Sequence, residues 1–253
     1  MARQTLFLGR LFDIRVGVHV SWLAVYAFMT IALARALGML PQPEAYAFGA
    51  ACALALFASV VAHELAHALV AKHFGVRTNA ITLFLFGGVA TLEEEPASPK
   101  ADALVALAGP AMSAALALVA FGLLFALDRM LPDSALRDAV GLLGTYVVLA
   151  NGVLAAFNVV PAYPMDGGRV LRALLWRRSH DRDAATNAAS RVGIVFALLF
   201  VAAGVLVVAA THDLLYGWYV LLGAFLLRQG VSQERTSRTS RGVAPDAEAV
   251  AAA

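Results

Sequence analysis

The chain has 253 residues, of which 61% are hydrophobic and only 14% charged, and its formal net charge is +2 at pH 7. That balance excludes a disordered chain and an ordinary water-soluble domain and indicates a polytopic membrane protein, for which no nucleic-acid partner is expected. A single cysteine, Cys52, excludes an intrachain disulfide; it falls in an apolar run, where it reads as a small apolar residue.

In chain order, a basic leader with Arg3, Arg10 and Arg15 runs into a first apolar stretch longer than the roughly 7–15-residue core of a cleavable signal, so this stretch is expected to remain as a span. Apolar runs long enough to cross about 30 Å of hydrocarbon are read at about 18–40, 46–73, 101–127, 138–159, 190–210 and 213–229. After the second, "AITLFLFGGVATLEE" mixes β-branched and aromatic residues with Gly87-Gly88 and reads as a strand or re-entrant hairpin, not a span. Only "DRMLPDSALRD" separates the third and fourth runs and only "THD" the last two, so each pair is predicted to form a tight antiparallel hairpin. Residues 1–230 are taken as one membrane-embedded domain, and the polar, then Ala-rich stretch 231–253 as a disordered cytoplasmic tail.

Lys72, Arg77 and Lys100 follow the second run, and Arg169, Arg172, Arg177, Arg178, Arg182 and Arg191 follow the fourth. The opposite side holds Arg129 and Arg137, with Arg35 near the end of the first run. The positive-inside rule then puts both termini in the cytoplasm of a multi-pass protein, with the plasma (cell inner) membrane as the expected location.

The second run carries "SVVAHELAHALVAKH". His63 and His67 are four residues apart, so on a helix both imidazoles leave one face, within reach of a single metal ion. Glu64 flanks that face, where its carboxylate can take a proton from a metal-bound water. Ionisable groups at membrane depth mark function by default; the competing reading makes them hydrogen-bonding links between helices.

Two histidines leave a catalytic zinc site one protein ligand short. The second and fourth runs share a direction, so the missing ligand is sought at the cytoplasmic end of the fourth, in "FNVVPAYPMDGGRVL". There Pro161 and Pro164 force extended chain, Gly167 and Gly168 permit close backbone approach, and Asp166 is presented between them. Standing alone, Asp166 would read as an N-cap for the following helix; beside the histidine pair it reads as the third ligand of one Zn2+ per chain.

His63-Glu64-x-x-His67, "FGGVATL", "LAGPAMSAAL" and "NVVPAYPMDGGRVL" together resemble the site-2 protease family of intramembrane zinc metalloproteases, over about residues 45–180. The family's N-x-x-P-x-x-P-x-D-G pattern falls on Asn158, Pro161, Pro164, Asp166 and Gly167. The resemblance implies an all-α polytopic fold of about six transmembrane helices with a three-span catalytic core and amino-terminal strands entering the first span. It also implies cleavage of membrane-spanning protein substrates within the bilayer. Ser113 stands where the family often has Asn, and Met165 where it often has Leu; Gly109 and Ser113 still make a small-x-x-x-small pair for close helix packing. Neither a PDZ insertion nor a pair of CBS modules is read.

Glu64 is assigned as general base, and Asn158 either to the substrate carbonyl or to a helix-end cap. Residues 81–91, including Gly87, Gly88 and Val89, are expected to bind extended substrate by strand addition, with a plain hairpin turn as the other reading of Gly88. His19, His73, His180, His212 and the Glu93–Glu95 run are read as structural or solvated. The rival functions are a zinc- or proton-coupled transporter, which would place similar residues at depth, and a non-proteolytic relative of the family.

Overall fold

The leader forms two short strands ahead of the first helix. In the computed structural model, which describes residues 5–36, 41–84, 87–92, 94–130, 132–213, 216–217 and 219–232, Thr5–Leu11 (β1) and Ile14–His19 (β2) pair antiparallel across a tight turn. Phe12 and Asp13 at that turn both have positive φ, the backbone that two-residue hairpins require. The chain then runs through α1 (Ser21–Ala36), α2 (Gln42–His73), β3 (Thr78–Phe84), β4 (Gly87–Leu92), α3 (Pro99–Met130), α4 (Ala135–Val159), α5 (Asp166–Ser179) and α6 (Arg182–Thr211). A further apolar helix, α7, covers Tyr219–Ser232. Two compact units result: Met1–Pro96 with Leu107–Phe157, and Ala97–Ala106 with Asn158–Ala253.

In the first unit the strand order is β1-β2-β3-β4. β2 and β3 run parallel, with Val16 opposite Ile81 and Val18 opposite Leu83, and β3 and β4 form the expected hairpin, with Leu83 opposite Gly88. The two residues joining that hairpin, 85 and 86, lie outside the described residues. Alternation along the strands turns Ile14, Val18, Ile81 and Leu83 to one face, where they pack on Phe57 and Ala68 of α2, with Val61 and Leu65 half-buried beside them. At about 100° per residue these α2 positions form one stripe, and His63 and His67 lie on another side of the helix. α1 approaches α2 at Gly49, where a Cβ would sit 2.5 Å from the Thr30 carbonyl oxygen. α3 approaches α4 at Gly144, against Leu124.

In the second unit the contacts between α6 and α7 run in opposite chain directions: Gly204 meets Val220, Gly223 meets Val201, and Gly230 meets Ile194. The predicted antiparallel hairpin is therefore present, and three glycines let its helices approach closely. His212 ends α6 in the left-handed conformation.

Among the described residues four helices are long and apolar enough to cross a membrane: Gln42–His73, Pro99–Met130, Arg137–Val159 and Arg182–Thr211. The expected first and sixth spans correspond to the shorter apolar helices α1 and α7. With 16 residues, α1 rises about 24 Å at 1.5 Å per residue, short of the roughly 30 Å hydrocarbon core. Much of the polar stretch expected to link spans three and four is helical, leaving 131–134 between α3 and α4. Arg137 closes that turn on Asp133 and, at 2.5 Å, on Asp128. Of the expected tail, residues 233–253 lie outside the described residues, as does Glu93; Glu94 and Glu95 are exposed.

Candidate active site

His63 and His67 sit on successive turns of α2, 3% and 6% exposed, their ring centroids 4.8 Å apart and nearly perpendicular. α3 makes room for them. A Cβ on Gly109 would lie 2.5 Å from His63 Nε2 and closer still to His67 Nε2, so the two nitrogens converge on the space that this glycine leaves open. One helical turn further along α3, the Ser113 hydroxyl lies 2.9 Å from His63 Nδ1, and Ser113 is fully buried. One turn before His63 on α2, Ser59 accepts a 2.9 Å hydrogen bond from Asn151 of α4. α2 therefore carries a polar stripe, Ser59-His63-His67, through otherwise apolar packing.

Glu64 lies against the sheet. It lies seven residues after Phe57, about 20° from it around the helix, so it belongs to the stripe that faces the sheet. A Cβ on Gly88 would sit 2.5 Å from Glu64 Cγ and 3.2 Å from its Oε1. Gly88 pairs with Leu83 inside the β3–β4 ladder, so it is not the hairpin turn; its missing side chain leaves space for the Glu64 carboxylate. Gly87 and Val89 flank it along β4, opposite Phe84 and Thr82.

In the second unit, Asp166 is the first residue of α5 and is 8% exposed. Met165 takes the N-cap position, with no side-chain cap bond, so the capping role does not fall to Asp166. Its carboxylate sits at the positive end of the helix dipole, which favours the anion a metal needs. The loop before it folds back on α5: side chains at Gly167 and Gly168 would strike the backbone of Val159 and Tyr163, and one at Gly193 of α6 would strike the Tyr163 carbonyl. Farther along α5, the buried Arg172 meets Asp102 through two hydrogen bonds of 2.9 and 2.7 Å, and Arg169 reaches the same carboxylate at 3.4 Å. The Arg172 guanidinium carbon also lies 5.5 Å from the centre of the Tyr163 ring.

Among the described residues, the group of side chains able to hold a metal ion is His63, His67 and Asp166, all three buried. The sequence pattern of Peptidase family M50 matches residues 51–140 and 133–200, stretches that contain all three together with Glu64. The chain belongs to peptidase family M50. A Synechocystis protein named as a candidate zinc metalloprotease, sll0528, is 38% identical over 234 residues, 91% of this chain and 60% of that one. Rip3 of Mycobacterium tuberculosis, named likewise, is 37% identical over 243 residues, 94% of this chain and 61% of its own length. The chain thus spans about three fifths of the length of these relatives. The solved Site-2 Protease from Methanocaldococcus jannaschii superposes with a TM-score of 0.62 at 26% identity, over 91% of this chain and 95% of that one.

The family membership bears out the resemblance read from the four motifs, and with four long apolar helices it makes the chain an integral membrane protein. Zinc suits the donors present. Two imidazoles and one carboxylate are ligands it favours, and the convergence of both Nε2 atoms over Gly109 leaves a place for an ion. The other histidines stay apart from this group. His19 bonds Ser21 at the start of α1, His73 is exposed beside Phe74, and His180 ends α5 in a left-handed turn. Asn158 lies half-buried in the last turn of α4. Ser113 entered the sequence reading only as a packing residue; the signal for its polar role was its place four residues after Gly109, on the same helical face.

Proposed function

We propose that the chain is an intramembrane zinc metalloprotease that hydrolyses peptide bonds in or near the transmembrane segments of membrane proteins. The observation that carries this reading is a buried ligand group, His63, His67 and Asp166, with the Glu64 carboxylate on the turn between the two histidines and held against Gly88 of β4. His63, His67 and Asp166 hold the metal. When bound, zinc supplies Lewis acidity, polarising the scissile carbonyl and making the attacking water acidic. Glu64 takes the proton from that water and delivers it to the leaving amine. Asn158 donates a hydrogen bond to the substrate carbonyl as charge builds on it, a contribution of about 10²–10³ in rate for such a donor.

A peptide bond inside a helix is shielded by its own hydrogen bonds, so the substrate unwinds before it is cut, and in lipid each freed backbone group needs a partner. β4 is an outer strand of the sheet and offers such partners by strand addition. The residues from Gly87 to Val89 then lie along the substrate while Gly88 keeps that strand close to Glu64. His63 and His67 lie six to ten residues before the end of α2, about 9–15 Å along the axis. With the orientation read from the Lys and Arg positions, this supports chemistry in the cytoplasmic half of the inner membrane, in a reading with six crossings that counts α1 and α7 and has both termini inside.

The test uses the purified full-length chain, bound-metal analysis and a generic single-span substrate. Asp166→Ala is expected to lose zinc and cleavage together. Glu64→Gln is expected to keep zinc and lose about 10²–10⁴ in turnover. Full zinc and full activity in Asp166→Ala would remove Asp166 from the site, and ordinary turnover in Glu64→Gln would remove the base.

A further inference from the structure

We infer that Ser113 is a positioning residue: its hydroxyl holds His63 in the ring orientation and tautomer that present Nε2, not Nδ1, to the metal. The inference rests on the zinc-site reading above. A neutral imidazole has one N–H donor and one lone-pair acceptor, and which nitrogen faces a metal is set by what the other one bonds. Here the two ring nitrogens of His63 have different surroundings. Nδ1 lies 2.9 Å from Ser113 Oγ in a fully buried contact, while Nε2 shares the open space over Gly109 with His67 Nε2. The arrangement calls for Nδ1–H to donate to Ser113 Oγ and for the Nε2 lone pair to be the one turned to the metal.

Ser113 suits that task chemically. A hydroxyl accepts one hydrogen bond while donating another, and on a helix its own proton can go to the carbonyl one turn earlier. Gly109 and Ser113 are one turn apart on the same face of α3, so one helix supplies both the clearance for the metal-facing nitrogens and the anchor behind one of them. Partners of this kind are typically worth about 10–100-fold in metal affinity. A residue valued only for small size would tolerate alanine without loss.

The experiment measures zinc affinity of the full-length chain by chelator competition for wild type and Ser113→Ala, and records histidine nitrogen NMR spectra of the zinc-loaded wild type. Ser113→Ala is expected to bind zinc about 10–100-fold more weakly, and His63 is expected to show a protonated Nδ1 and a metal-bound Nε2. Equal affinity in the two chains, or a metal-bound Nδ1 in the wild type, overturns the inference while leaving the zinc site standing. A wild type that takes up no zinc overturns the zinc reading and this inference together. The spectrum of the wild type decides the matter even if Ser113→Ala fails to fold.

Discussion

At Gly88 one absent methyl group keeps a strand and the side chain of Glu64, the proposed base, from colliding. A Cβ there would stand 2.5 Å from Glu64 Cγ, a separation that real side chains do not hold, so in Gly88→Ala the Glu64 side chain has to swing away. Displacing a reacting group by about 1 Å can lower a rate about 10²-fold. Gly88→Ala is therefore expected to keep its zinc and lose about 10–10²-fold in cleavage rate, read from metal content and initial rates on one preparation. Wild-type rates in that variant would mean that Glu64 does not act from where it lies. At this scale the sequence was legible wherever the chemistry is local: the i, i+4 spacing put His63 and His67 on one face of α2, and Glu64 followed. Contacts between residues far apart in the chain were not. Nothing in spacing says that Ser113, fifty positions later, bonds His63, or that Gly88 makes room for Glu64.

Among the elements, β4 and α5 depend on different physical terms. Along β4 successive N–H groups point alternately to β3 and away from it. A proline at a position whose N–H points away removes a donor for an added strand and leaves the β3 ladder whole. In a proline scan of Gly87–Leu92 those positions are expected to lose cleavage of helical membrane substrates with zinc content unchanged. Unaltered cleavage throughout the scan would exclude strand addition. α5 depends on burial: Arg172 and Asp102 are both within the interior, and losing one partner of such a pair typically destabilises by about 3–5 kcal/mol. The β3–β4 hairpin could be read from Gly87-Gly88 flanked by β-branched and aromatic residues. The parallel pairing of β2 with β3 could not, because α1 and α2 intervene and strand order across such a crossover is a tertiary outcome. The polar residues at the ends of α3 and α4 read as a linker because hydropathy marks the membrane and not the helix.

For the whole molecule, the topology read from Lys and Arg positions can be tested with the chain's own cysteine content. Cys52 is buried and is the one cysteine, so a Cys52→Ser background is blank to thiol reagents. Pro132→Cys, in the turn between α3 and α4, is expected to react with an impermeant reagent only from outside the cell, and Arg178→Cys, near the end of α5, only from the cytoplasm. Labelling of both from one side would refute the orientation. The apolar runs located the ends of the four long helices to within about four residues, except that α6 begins at Arg182, ahead of the expected 190, in a polar first two turns that hydropathy does not mark. Of the first expected run, 18–40, α1 accounts for Ser21–Ala36, and residues 37–40 lie outside the described residues. The sheet, finally, ends at β4, whose outer side pairs with no other strand among the described residues, and in hydrocarbon each unsatisfied backbone group costs several kcal/mol. On the proposed reading, such an edge at membrane depth would have to be hydrated before substrate arrives. The solvent satisfying that edge would then be the second reactant of the proposed hydrolysis, and an incoming substrate strand would release it from β4 as it docks.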